Sequence, residues 1–192
     1  MRIAVVILAG GQGRRIGGNK PLRVLAGRTL LNRAVEQARQ WSGLVFVAVR
    51  DRPQAAGTES FSILDEPGIE GPLAGLAAAL REAKALGCDG LLTIPADMPF
   101  LPTDLPGRLA SAVSGHQAAI AASGGHLHPV CGLWPTSALQ YVPGYLSTGN
   151  RSLRGFAEAV GYVVVEWPAD PADPFFNINA AEDLAAAEQR LR

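Results

Sequence analysis

The chain predicts an α/β fold, a three-layer sandwich built on a mainly parallel sheet, and two observations carry this expectation. Short apolar, β-branched runs alternate along the chain with segments that show a helical stripe, the pattern of strands covered by crossover helices. The first such run empties into a glycine-rich loop, as happens at the carboxyl end of a strand that approaches a ligand. With 192 residues, 48% of them apolar, and no repeat, low-complexity run or linker, the simplest organisation is a single domain over 1–192.

Ile3–Leu8 reads as the first buried strand. Thr29–Trp41 carries apolar residues at Leu30, Leu31, Ala34, Val35 and Ala38, one face of a helix lying on a sheet, and Gly43 is expected to end it. Leu44–Val49 and Phe61–Leu64 follow as strands, the second closing on Asp65. Pro72 suits the start of an alanine- and leucine-rich helix over Leu73–Leu86, since proline fits a first turn where no N–H is needed. Gly90–Ile94 is a strand ended by PADMPFLP, and a helix is expected from about Pro102 or Asp104 to Val113. Ala118–Ala122 and His128–Trp134, joined by a short polar link, read as an antiparallel excursion. A short helix over Ser137–Leu146 interrupted near Pro143, a helix over Asn150–Val160 capped by Asn150, a strand over Tyr162–Trp167 and a final helix over Ala181–Leu191 complete the chain.

Composition narrows the function. Seventeen basic and seventeen acidic side chains leave no net charge, so no broad nucleic-acid surface is expected. Cys88 and Cys131 have no CxxC partner and read as buried thiols, and three histidines form no metal-ligand pattern. The opening residues are too short and too quickly polar for a signal sequence or membrane span, so a soluble cytoplasmic protein is the default expectation.

The chemistry concentrates in Arg2–Lys20, where glycines at 10, 11, 13, 17 and 18 accompany Arg14, Arg15 and Lys20. Glycines let the backbone bring N–H groups close to a ligand, and the cations match polyphosphate. A Walker loop requires Gly-Lys-Ser/Thr, and this chain has Gly18-Asn19-Lys20-Pro21. A dinucleotide fingerprint requires a helix starting inside the loop, and that helix would run through Gly17, Gly18 and Pro21. Beyond the other strand ends, Asp97 is held between Pro95 and Pro99 and suits either a magnesium site or a turn cap. Asp65 suits a nucleotide contact or a cap before Pro67. Asn177 and Asn179 share one face of an extended segment, available to a ligand or to nearby backbone. His126 and His128 lack an acid neighbour in sequence and suit loop or ligand contacts.

In order, LAGGQGRRIGGNK, GPLAG, PADMPFLP, HPVCGLW and NINAAEDL resemble the molybdenum cofactor guanylyltransferase family over nearly the whole chain. The opening motif is shared by many nucleotidyltransferases; its combination with GPLAG and HPVCGLW is far more specific. The resemblance implies a Rossmann-like nucleotidyltransferase fold and transfer of GMP from GTP to molybdopterin cofactor, with magnesium, giving the guanine dinucleotide cofactor and pyrophosphate. It further implies that Leu8, Ala9, Gly10 and Gly11 lie near guanine and ribose, and that Arg15 and Lys20 bind the triphosphate. Asp65 matches the nucleotide-site aspartate, Asp97 the magnesium ligand, and Asn177 and Asn179 the paired asparagines on the product side. Cofactor-assembly proteins and a recipient molybdoenzyme are the implied partners. The family often has an asparagine just after its second strand, where this chain runs FVAVRDR, with Ala48 and Arg50. That departure keeps open a cytidylyltransferase acting on the same cofactor, a sugar-phosphate nucleotidyltransferase, and a non-catalytic nucleotide-binding partner in cofactor assembly.

Overall fold

The computed structural model describes residues 1–10, 20–55, 57–58, 60–113, 115 and 117–192. Its strands and helices follow in the order β1 (Ile3–Leu8), β2 (Val24–Leu25), β3 (Arg28–Thr29), α1 (Leu30–Trp41), β4 (Val45–Val49), β5 (Phe61–Leu64), α2 (Pro72–Ala85) and β6 (Gly90–Pro95). The second half continues with α3 (Leu105–Ala112), β7 (Ala118–Ser123), β8 (His126–Pro135), α4 (Val142–Ser147), α5 (Leu153–Val160), β9 (Tyr162–Trp167) and α6 (Ala181–Arg190). Seven strands make one sheet in the order β5-β4-β1-β6-β8-β7-β9. β8 runs antiparallel to β6 and β7, and all the other pairings in this sheet are parallel.

The unbroken apolar runs are explained by burial on both faces. Along β1, Ala4 and Val6 pack with α2, α4 and α5 against one side, while Val5 and Ile7 pack with α1 and α3 against the other. Three layers result. Helix α1 is fixed at its start by Thr29, whose hydroxyl accepts from the Asn32 N–H at 3.1 Å, and ends at Ser42 one residue before the expected Gly43. Among the described residues no helix is long and apolar enough to cross a membrane.

Two local expectations are corrected. The helix before β9 starts at Leu153, capped by Ser152 Oγ accepting from Gly155 N at 3.1 Å, because Asn150 instead donates to Thr148 Oγ1. The segment around Pro143 is a 3-10 stretch, Thr136–Tyr141, followed by α4, with the proline in the first turn where it breaks no helical bond. The β2–β3 hairpin was not anticipated. Its two-residue turn puts Ala26 at φ 46 and Gly27 at φ 80.

One irregularity shapes the functional edge. On β7 and β8, Ala119 faces Leu133 and Ile120 faces Gly132, but pairing then resumes with Ala121 opposite His128. Residues 129–131 of β8 therefore bulge out of the ladder, at a place where Pro129 has no N–H to contribute. Just below the bulge, the fully buried Thr93 hydroxyl donates to Gly132 O at 3.2 Å and accepts from Gly132 N at 3.3 Å and from the Trp134 indole at 3.0 Å. Thr93→Val keeps the shape and the strand propensity but strands the indole N–H without a partner. The expected loss is about 1–3 kcal/mol in urea unfolding, partly restored in Thr93→Ser; an unchanged midpoint would show that the hydroxyl is dispensable.

Candidate active site

A cavity of about 320 Å³ opens at the carboxyl ends of β1, β4, β5 and β6, where the strand order reverses on either side of β1. Such a switch point leaves a crevice between loops that diverge to opposite faces. Leu8, Gly10, Asp65, Asp97 and Asn177 all line it, and Lys20 and Asn179 join through their contacts. Ala9 is buried beneath it, its N–H donating to Ala48 O at 3.0 Å. Gly11 and Arg15 lie outside the described residues.

At one end, Lys20 stands on a 3-10 turn, Lys20–Leu22, anchored by the buried Pro21 and followed by the β2–β3 hairpin. Arg33 of α1 holds that hairpin by donating to Leu25 O at 2.9 Å. The Lys20 ammonium lies 2.5 Å from Asp97 Oδ2 and donates to Asn179 Oδ1 at 2.7 Å and Asn177 Oδ1 at 3.3 Å. The two asparagines reach one point because they flank Ile178, which is fully buried and whose N–H donates to Asp97 O at 3.0 Å. Asp183 completes the support, accepting from Asn179 N and Ala180 N at 2.7 and 2.8 Å at the start of α6.

Asp97 Oδ1 is shielded from solvent and has no hydrogen-bond partner among the described residues. A buried, unpartnered carboxylate oxygen beside two amide oxygens is a hard-oxygen set that fits magnesium. Among the described residues no group of three or more His, Cys, Asp or Glu side chains could hold a metal.

At the other end, Asp65 closes β5, its N–H donating to Val49 O at 2.9 Å. Its carboxylate sits in a gap that two glycines keep open. A Cβ on Gly10 would meet Asp65 Oδ2 at 3.0 Å, and one on Gly75 would meet Ala48 Cβ at 2.9 Å, Leu8 Cδ2 at 3.0 Å and Asp65 Oδ1 at 3.1 Å. Burial raises the Asp65 pKa above its ordinary value, and Arg50 opposes the shift without cancelling it. A carboxylate held this way seeks N–H or O–H donors from a ligand.

A third cluster lies beside the cleft and escaped sequence reasoning. The Ser123 hydroxyl, 1% exposed, donates to Asp173 Oδ1 at 2.8 Å and lies 2.8 Å from His128 Nε2, and His128 stacks on Phe175 at 4.6 Å. Because the serine gives its proton to the carboxylate, His128 does not act on it as a base, and the cluster is a clamp. It ties the segment that carries Asn177 and Asn179 to the β7–β8 hairpin, with Asp173 Oδ1 also accepting from Phe175 N at 2.9 Å. Burial lowers the His128 pKa, which favours the neutral ring. His126 is exposed and stays apart from the cavity.

The MobA-like NTP transferase domain family matches residues 5–163. The molybdenum cofactor guanylyltransferase of Cereibacter sphaeroides is 41% identical over 100% of this chain and 98% of its own length. The chain belongs to the molybdenum cofactor guanylyltransferase family. The family's protein from Bradyrhizobium sp. is 42% identical over 96% of this chain and 91% of its own. Among solved structures, molybdopterin-guanine dinucleotide biosynthesis protein A from Archaeoglobus fulgidus superposes with TM-score 0.77 at 27% identity, covering 98% of both chains. A CMP:2-keto-3-deoxy-manno-octonic acid synthetase complexed with CTP shares the fold at TM-score 0.77 and 14% identity, covering 100% of this chain and 98% of its own.

In this guanylyltransferase-family chain the shared motifs have separate physical tasks. GPLAG opens α2 beside the cavity: Gly71 takes φ 75, Pro72 fills the first turn, and Gly75 makes room for Asp65. HPVCGLW carries the bulge and the Thr93 partners, and it places Val130 on the cavity wall. NINAAEDL brings both asparagines to Lys20. The raised Asp65 pKa has a testable sign. Its contribution to folding is full below 3.8 and is lost as pH rises through the higher folded value, since ionising the buried carboxyl costs more than ionising it unfolded. Asp65→Asn is therefore expected to match the parent in acid and to become the more stable protein towards neutrality, read from urea midpoints between acid and neutral pH. A relative stability that falls as pH rises would show that attraction to Arg50, not burial, governs the carboxyl.

Proposed function

We propose that this chain is a magnesium-dependent nucleotidyltransferase of one domain that transfers GMP from GTP to molybdopterin cofactor, giving the guanine dinucleotide form and pyrophosphate. The observation that carries the reading is the cluster of Lys20, Asp97, Asn177 and Asn179 at the switch point, joined by one cavity to the carboxylate of Asp65. Family membership supplies the substrates. A cytoplasmic setting, with cofactor-assembly proteins and a recipient molybdoenzyme as partners, belongs to the same proposal.

In this reading the terminal phosphate of molybdopterin attacks the α-phosphorus of GTP in line, and the bond to pyrophosphate breaks. A phosphomonoester is largely ionised near neutral pH, so the protein needs no general base. Its work is alignment and charge. Lys20 binds the phosphates and neutralises the departing pyrophosphate, with Arg15 and the amides around Gly10 and Gly11 in the same service. Asp97 would hold the magnesium ion, with Asn177 and Asn179 beside it; when bound, the ion supplies Lewis-acid neutralisation of phosphate charge. Leu8, Ala9, Gly10 and Asp65 receive the nucleoside.

Product analysis with each of the four nucleoside triphosphates, molybdopterin cofactor and magnesium tests this directly. The expected result is guanine dinucleotide cofactor and pyrophosphate with GTP far above the other three; a larger kcat/KM with CTP would reassign the chain as a cytidylyltransferase. Asp97→Asn keeps a hydrogen-bond acceptor but loses the charge, so turnover should fall by about 10²-fold or more across a magnesium titration, with far-UV circular dichroism unchanged. Near-parental rates would remove Asp97 from the metal site. Lys20→Ala should raise KM for GTP and lower kcat together, because its contact strengthens as pyrophosphate leaves.

A further inference from the structure

The cavity has a direction. Its Asp97 end lies on β6 and its Asp65 end on β5, three strand spacings or about 14 Å apart across β1 and β4. With phosphates at Lys20 and Asp97, a nucleotide laid along the strand ends carries its base to Asp65. There the walls from Leu8, Ala48 and Gly75 offer no polar side chain, and two lining groups carry charge: Asp65 and Arg50.

These two groups are complementary in kind. An ionised carboxylate only accepts hydrogen bonds, and a guanidinium only donates them, in a planar fork. Arg50 is set beside the pocket by its backbone, whose N–H donates to Gln54 Oε1 at 2.9 Å. Its Cγ lies 3.5 Å from where a Gly10 Cβ would stand, so the stem runs along the glycine. The side chain is exposed, lines the cavity and makes no ion pair within 4.0 Å among the described residues, although its charge is felt at Asp65.

Guanine alone among the common bases presents adjacent donors, N1–H and N2–H, on one edge and adjacent acceptors, O6 and N7, on the next. Adenine places a donor amino group where Arg50 would also donate, and the pyrimidines lack N7. Resting on the nucleotidyltransferase reading, we propose that Arg50 is a specificity-determining residue: its guanidinium donates to O6 and N7 of the guanine whose N1–H and N2–H groups Asp65 accepts.

The test pairs a residue with a ligand atom. Binding of GTP, 7-deaza-GTP and CTP to the full chain is measured by calorimetry with magnesium for the parent, Arg50→Ala and Arg50→Lys. The parent should bind GTP about tenfold more tightly than 7-deaza-GTP, and Arg50→Ala should close that gap to within about twofold, the size expected when half of a bidentate base contact is removed. Arg50→Lys keeps the charge but not the fork, and should also lose most of the gap. A parent indifferent to N7, a gap that survives in Arg50→Ala, or an equal weakening of all three nucleotides in both variants overturns base reading by Arg50 while leaving nucleotide binding intact. Failure of the parent to bind any of the three would instead defeat the underlying reading, and this proposal with it.

Discussion

One ammonium group holds the active edge together. Lys20 meets a carboxylate and two amide oxygens from segments about eighty and one hundred and sixty positions away along the chain. Brought together without a cation, those oxygens would face one another across a partly dried pocket, and their dipoles and charge would repel. The contact lies at the tip of a scaffold that fixes each partner separately: Pro21 and the β2–β3 hairpin for the lysine, the end of β6 for Asp97, and buried Ile178 for the asparagines. The rigidity of these supports matters as much as the ion pair, because the Lys20 and Asp97 side chains are only 11% and 21% exposed and the cost of drying both charges offsets much of their attraction.

The opposite end of the cavity follows a different logic. Asp65 is kept in a place that penalises its charge, and two glycines are spent to keep it there. The resting protein is less stable for this, and a nucleotide that supplies N–H donors would relieve the cost on binding. Sites that discriminate by hydrogen bonding work in this way, since a ligand lacking the right groups leaves the buried polar atoms unanswered. A CMP:2-keto-3-deoxy-manno-octonic acid synthetase complexed with CTP has the same fold at 14% identity, so the fold by itself does not choose the base.

Most of the layer structure was legible in the sequence because strands buried on both faces cannot avoid long apolar runs, and because Thr29 and Pro72 mark helix starts by local chemistry. Asp65 and Asp97 were legible as positions just past such runs, and Asn177 and Asn179 by their alternation around Ile178; the fold brings all four to one cavity or its edge. What escaped depended on partners remote in sequence. The β2–β3 hairpin is too short for alternation to register, and its turn uses Ala26 where asparagine or aspartate would have announced a positive φ. The Ser123, His128 and Asp173 clamp spans fifty residues, so no local pattern shows it. Asn150 and Ser152 are equally good caps by type, and the choice fell to the one whose hydroxyl could reach Gly155 N.

The three-residue bulge in β8 separates two functions along a single strand. Below it, Gly132, Leu133 and Trp134 are locked into the central ladder and the core; above it, the hairpin tip pairs with β7 in a different register and is clamped to the chain leading to α6. A change in the tip is thus insulated from the core, because the slack between the two registers can absorb a shift that an unbroken ladder would transmit down its length. The wall of the cleft next to Val130 can then change shape at little cost to the core beneath it.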